Sequence, residues 1–210
     1  MAKFDSFIFD MDGTLWDAVP SYAEIWNRTI SEFGLPVPPV TYQELCDQMG
    51  RPLEVIYNNL IGNPEVEGKF TARLEELSRE LMPKLGGVLY PGVRQTLTAL
   101  RDGGARLFLV SNCEANGLPD FLAFTGLTPL FTDHRSLGHT GLDKDVNMRN
   151  LIDQYGLQSP IYVGDTMGDL NYTHKAGLPF AWASYGFGKD VHGQEYTLNT
   201  ISDLIKIQDN

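Results

Sequence analysis

Residues 4–17 read FDSFIFDMDGTLWD. The stretch opens as an apolar run, Phe7-Ile8-Phe9, and stops at Asp10, Met11, Asp12, Gly13 and Thr14. β-favouring residues that end at a carboxylate and a glycine read as a buried strand feeding a tight loop. Asp10 and Asp12 are two apart. In a continuing strand they would share one face, and each would raise the cost of ionising the other. A loop after the strand can aim both at one point. In open parallel sheets, ligands bind at the carboxyl ends of the strands. The rest of the chain is therefore expected to supply what neutralises and uses these two acids.

Working outward, residues 16–86 read as four helices and no strand. Asp17 is placed to cap a helix running through Trp26, Ile30 and Phe33 to Gly34. Residues 35–39, LPVPP, are a break. Thr41 with Glu44 forms a capping box for a short helix ending near Met49. The turn Gly50-Arg51-Pro52 leads into a helix over 53–61, and a fourth spans 71–81 with Leu74, Leu77 and Leu81 on one face. Beyond Gly86-Gly87 strands and helices alternate. Residues 105–110, ARLFLV, end at Ser111-Asn112, and 160–163 end at Gly164-Asp165. Leu130-Phe131-Thr132 reads as a short strand, 144–155 and 169–176 as helices, 180–183 as a strand and 201–207 as a closing helix.

This alternation predicts βαβ units and a parallel sheet. The expected fold is a doubly wound α/β core, residues 1–15 and 87–210, with an all-helical cap, 16–86, inserted after the first strand. With 210 residues, 42% hydrophobic and 20% charged, the chain can bury such a core without staples. Its formal charge of −11 argues against nucleic acid as a partner and means that an anionic substrate needs a local cation. Cys46 and Cys113 have no metal-type spacing and read as reduced cytoplasmic thiols. No apolar stretch approaches the ~18 residues of a membrane span.

Three apolar runs thus end in polar residues: Asp10 and Asp12, Ser111 and Asn112, Asp165. As parallel strands they would converge on one sheet edge. Asp169 lies four residues beyond Asp165, across a turn into a helix. Four carboxylates gathered there repel unless a cation sits among them. All-oxygen ligands suit a hard cation such as Mg²⁺. Lys144 adds positive charge, Ser111 a donor, and the loop amides over 11–14 a cradle for anionic oxygens. These are the parts that phosphoryl transfer requires.

The same residues resemble the haloacid dehalogenase superfamily of hydrolases. Asp10-Met11-Asp12-Gly13-Thr14-Leu15 is similar to its first motif, Ser111-Asn112 to its second, Lys144 to its third, and Gly164-Asp165-Thr166-Met167-Gly168-Asp169 to its fourth, all in the family's order. The details DGTLWD, YPGV, AGLP and YGFG resemble its phosphoglycolate-phosphatase-like branch. The resemblance implies a Mg²⁺-dependent phosphatase of small phosphate esters. Asp10 would attack phosphorus and become an aspartyl phosphate, and Asp12 would serve as acid and then base. Asp10, the backbone carbonyl of Asp12, Asp165 and Asp169 would hold Mg²⁺, the last directly or through water. Ser111, Asn112 and Lys144 would hold the phosphoryl group. Asp145 departs from the proline that relatives often carry after the lysine.

The plainer readings stand beside these. Arg51 either reaches the distal group of a substrate or is a solvated surface arginine. His134 and His139 read as surface or packing residues, Cys113 as a small packed residue, and the 185–188 turn, YGFG, as a backbone-geometry device. Similar capped relatives include sugar-phosphate mutases, and a non-catalytic binding protein on the same fold is a third possibility. A dehalogenase is disfavoured, since relatives with that chemistry lack the second acid.

Overall fold

A computed structural model describes residues 3–209. In chain order, strand β1 is Ser6–Phe9 and β2 is Trp16–Asp17; helices α1 Val19–Glu32, α2 Tyr42–Cys46, α3 Leu53–Leu60 and α4 Glu67–Leu85 follow. Then come β3 Val88–Leu89, α5 Val93–Asp102, β4 Arg106–Ser111, α6 Gly117–Thr125, β5 Asp133–Ser136 and the one-turn α7 Leu137–Thr140. The chain continues through α8 Lys144–Tyr155, β6 Pro160–Gly164, α9 Met167–Ala176, β7 Phe180–Ala183, β8 Tyr196–Leu198 and α10 Asp203–Asp209. Six strands form one parallel sheet in the order β5-β4-β1-β6-β7-β8. The core is thus an α/β doubly wound sheet.

Helices cover both faces of this sheet, which is why its central strands are continuous apolar runs. Side chains alternate across β1. Phe7 and Phe9 join one core layer with Leu97, Phe121 and Leu204, while Ile8 joins the other with Phe108, Met148, Tyr162 and Leu170. The strand order reverses on either side of β1. The carboxyl ends of β1, β4 and β6 lie side by side there, which sets the ends of those strands at the crevice where such folds bind ligands.

Residues between β2 and β3 carry four helices with an aromatic centre of their own. Phe70, fully buried, packs against the rings of Trp26, Phe33 and Tyr57 at centroid distances of 5.6, 5.5 and 5.2 Å. The capping box forms at α2, where the Thr41 hydroxyl accepts from the Glu44 amide and the Glu44 carboxylate accepts from the Thr41 amide at 2.8 Å. Asp17 precedes α1 by one position more than a cap residue, yet its Oδ1 accepts from the Val19 amide at 2.9 Å.

Three expectations need correction. Residues 16–86 do contain a strand: β2 pairs antiparallel with β3, Trp16 opposite Leu89, so the two connections to the helical insert run side by side as a ribbon. Leu130 closes a single 3₁₀ turn, Thr128–Leu130, and the strand is the polar segment that follows, β5. The strand β8 was not foreseen. β5 and β8 are the sheet's two edges, where only one neighbour is bonded and polar residues are tolerated.

Candidate active site

The loop after β1 is compact. The Met11 carbonyl accepts from the amides of Thr14 and Leu15, and Gly13 has a φ of +78°, in the left-handed region. A Cβ on Gly13 would collide with the Asp165 carboxylate, so glycine is needed there for space as well as for backbone. Asp10 is buried, and its amide donates to the Val163 carbonyl at 2.9 Å, carrying the β1–β6 ladder into the loop.

Lys144, the first residue of α8, is 1% exposed and reaches two acids. Its Nζ donates to Asp10 Oδ1 at 2.9 Å and to Asp169 Oδ1 at 2.5 Å. Asp169 sits in the first turn of α9. Its Oδ2 accepts from the Thr166 amide and hydroxyl at 3.0 and 2.6 Å, closing a capping box. Asp165, at the end of β6, accepts the amides of Phe187 and Gly188 on Oδ2 at 2.8 and 3.2 Å. Its Oδ1 is buried and, among the described residues, has no hydrogen-bond partner. Oxygens of Asp10, Asp165 and Asp169 lie within 4.8 Å of one another.

Burial and then the Lys144 and Asp169 charges set Asp10, whose carboxyl is pushed up to about 6. Burial lifts Asp165 well above the usual range, with Asp169 and Asp10 adding to it. Burial would raise Asp169 too, but the Lys144 ammonium beside it holds it low. Burial would likewise discharge Lys144, and the two carboxylates override it, so the ammonium persists. Three clustered carboxylates and one ammonium leave a surplus of negative charge. An orphaned carboxylate oxygen within an all-oxygen, doubly negative cluster fits a small divalent cation.

Asp12 lines the same cavity but is not one of the three clustered acids. Its Oδ1 accepts from Trp16 Nε1 at 2.9 Å and from the Tyr22 hydroxyl at 3.1 Å. Burial and the Asp10 charge push its carboxyl up to about 7, with Tyr22 and Trp16 opposing.

Ser111 is buried at the end of β4 and lines the same cavity as Asp10, Asp12 and Lys144. The Asn112 amide instead donates to the Gly50 carbonyl at 3.0 Å, tying the helical insert to the sheet edge. That brings Arg51 to the cavity wall. Among the described residues, neither His134 nor His139 lines the cavity. Cys113 does line it, and burial keeps its thiol protonated.

Sequence reading missed Tyr22 and Trp16 as partners of Asp12. Trp16 carried a faint signal, four residues after it; Tyr22 carried none, because only the placement of α1 brings it there. It also missed that the 185–188 turn does more than shape backbone, since its amides hold Asp165. Asp145 is fully buried and accepts from Arg149 at 2.6 Å and from Lys175 on α9 at 3.0 Å. It therefore locks the start of α8, and with it Lys144, to α9. Asp145→Ala is expected to cost about 1.5 kcal/mol, a low figure because both cations are partly exposed and screened. Folding holds this carboxyl below its ordinary 3.8, so its contribution is present above that pH and fades as pH falls below it. Denaturant melts at pH 7 and pH 3 check this: the gap between variant and parent should narrow at pH 3.

A parallel sheet with an acid-lined crevice at its strand ends, under a helical insert, defines a hydrolase class that comparison makes specific. The model of the haloacid dehalogenase-like hydrolase family matches residues 7–183. The chain belongs to that family. It is 30% identical over 211 residues to a phosphoglycolate phosphatase of Aliivibrio fischeri, covering 94% of this chain and 92% of that one. It is 29% identical to one of Vibrio vulnificus, covering 95% and 93%. A haloacid dehalogenase-like family protein from Streptococcus pneumoniae superposes over 99% of both chains with a TM-score of 0.88 at 17% identity. A predicted phosphoglycolate phosphatase from Haemophilus somnus does so over 99% of both with 0.87 at 22%. At these identities the two structures speak to fold alone.

Proposed function

We propose that this phosphatase hydrolyses small phosphate monoesters, phosphoglycolate-like ones among them, through an aspartyl phosphate on Asp10. The observation that carries the reading is the meeting of Asp10 with Lys144, beside an Asp12 carboxyl poised near neutrality. Asp10 Oδ would attack phosphorus as the bond to the ester oxygen breaks, and Asp12 would give that oxygen its proton. Water would then attack phosphorus and lose a proton to Asp12 as the bond to Asp10 breaks, releasing phosphate. One carboxyl serves both halves because they run opposite proton transfers.

Asp10, Asp165, the Asp12 carbonyl and Asp169 would hold Mg²⁺, which when bound supplies positive charge to the phosphoryl oxygens. The Lys144 and Asp169 hydrogen bonds favour a water-mediated role for Asp169. Ser111, Lys144 and Arg51 would hold and screen the phosphoryl group, and Asn112 would act by seating the loop at Gly50. Residues 16–86 would form the cap and exclude water. A cytoplasmic setting suits two free thiols, and among the described residues no helix is long and apolar enough to cross a membrane.

The test is phosphate release from a panel of small phosphate esters, with Mg²⁺ and with chelator, using Asp10→Asn as the blank. Release that needs Mg²⁺ and vanishes in the variant is expected. Isomerised sugar phosphate without free phosphate would instead indicate a mutase.

Tyr22 offers a finer check. If its hydroxyl aims Asp12 at the leaving oxygen, Tyr22→Phe should lower kcat about tenfold on an alkyl phosphate. Turnover of p-nitrophenyl phosphate, whose leaving group needs no proton, should change little. Equal losses on both would reduce Tyr22 to a wall of the cavity.

A further inference from the structure

Away from the reacting acids the cavity changes character. It is an open cleft with a volume of about 220 Å³, room for several waters or a small organic group. The side toward the helical insert is walled by Trp26, Met49, Leu53, Ile56, Leu74 and Met82, drawn from α1, α3, α4 and the turn after α2. Ser78, between Leu74 and Met82 on one face of α4, and Tyr22 on α1 are the uncharged polar side chains that the insert adds to this wall. The rim charges do not favour an anion. Arg51 and Arg79 are there, both exposed and, among the described residues, without an ion pair. Glu75, Glu114 and Asp120 share the rim and outnumber them. Glu114 is exposed, yet desolvation and then the Glu75 charge raise its carboxyl, with Arg79 opposing.

A small acid such as glycolate would therefore bring its carboxylate to a mixed rim of surplus negative charge, and would leave the apolar wall uncovered. An apolar body would cover that wall and gain by leaving water.

Resting on the phosphatase reading above, we propose that the leaving group this cavity selects is an uncharged alcohol with an apolar body of more than two carbons. The phosphoryl group docks at Asp10 and Lys144. The alcohol's chain or ring lies along Leu53, Ile56 and Leu74. Arg51 and Arg79 then screen the phosphoryl charge from the rim acids and do not anchor a distal carboxylate.

The experiment compares kcat/KM for ethyl, butyl and hexyl phosphate, whose leaving oxygens are equally basic, with phosphoglycolate and phosphoethanolamine. The expected result is a rise of about threefold per added methylene, and hexyl phosphate favoured at least tenfold over either charged ester. In Leu53→Gln, and separately in Met49→Gln, the slope should fall below twofold per methylene. A flat series, a preference for either charged ester, or an unchanged slope in both variants overturns the proposal while leaving the phosphatase reading intact. No turnover of any ester, p-nitrophenyl phosphate included, overturns both.

Discussion

Asp10→Asn should remove turnover, by roughly 10⁴-fold or more, and leave the fold in place. The amide cannot form the phosphoryl bond that the carboxylate would, and losing a nucleophile of this kind is among the largest single effects in enzymes. Asparagine keeps the size of aspartate and its Oδ1 can still accept from Lys144 Nζ, now 2.9 Å away. Lys144 also keeps Asp169. The stability effect has a definite sign. Burial pushes the Asp10 carboxyl up to about 6, above its ordinary 3.8, so the folded metal-free protein holds a proton that the unfolded chain releases. Stability from this group is full below pH 3.8 and is lost as pH rises to about 6. Asparagine carries no such loss. In chelator at pH 7 the variant should melt no lower than the parent. Phosphate release and thermal melting on the same samples check both halves. Near-normal turnover would remove Asp10 from the chemistry.

Lys144→Met should damage both stability and activity. Methionine matches the stem but leaves Asp10, Asp165 and Asp169 buried together with no ammonium. Removing one partner of a buried pair costs about 3–5 kcal/mol, because the remaining charge is stranded. For a chain of this size that is on the order of 10 °C in melting temperature. Turnover should fall roughly 10²–10³-fold through loss of a cation aimed at the phosphoryl oxygens. Melting in chelator and in excess Mg²⁺ separates the two causes. A divalent ion in the acid cluster should recover part of the stability and little of the rate. A variant that melts with the parent in chelator would mean that the ion pairs do not offset the burial of the acids.

Much of this was legible because it is local. A strand buried on both faces is a short apolar run, and β1, β4 and β6 each show one that ends in a polar residue. Thr41 and Glu44 announce a capping box within four residues. The failures have equally local causes. β5 reads DHRS, a polar edge strand bonded on one side, and the apolar Leu130-Phe131 beside it drew the assignment away. β2 is two residues long and finds its partner only on the far side of the helical insert. Asp145 stood out only as a departure from the proline that relatives often carry, and nothing near it announced Lys175 from another helix.

The sequence by itself determined the central strands, most of the helices and the parallel architecture, and it placed acids at the strand ends, because periodicity and strand-end residues are written within a few neighbouring positions. The tertiary structure alone decided who meets whom. Lys144 reaches Asp10 across 134 positions of chain, Tyr22 turns onto Asp12, and three helices of the insert, with the turn after α2, line one side of the cavity with mainly apolar groups. Those encounters depend on how helices seat on the sheet and on one another, and packing over such distances leaves no mark in the local pattern of residues.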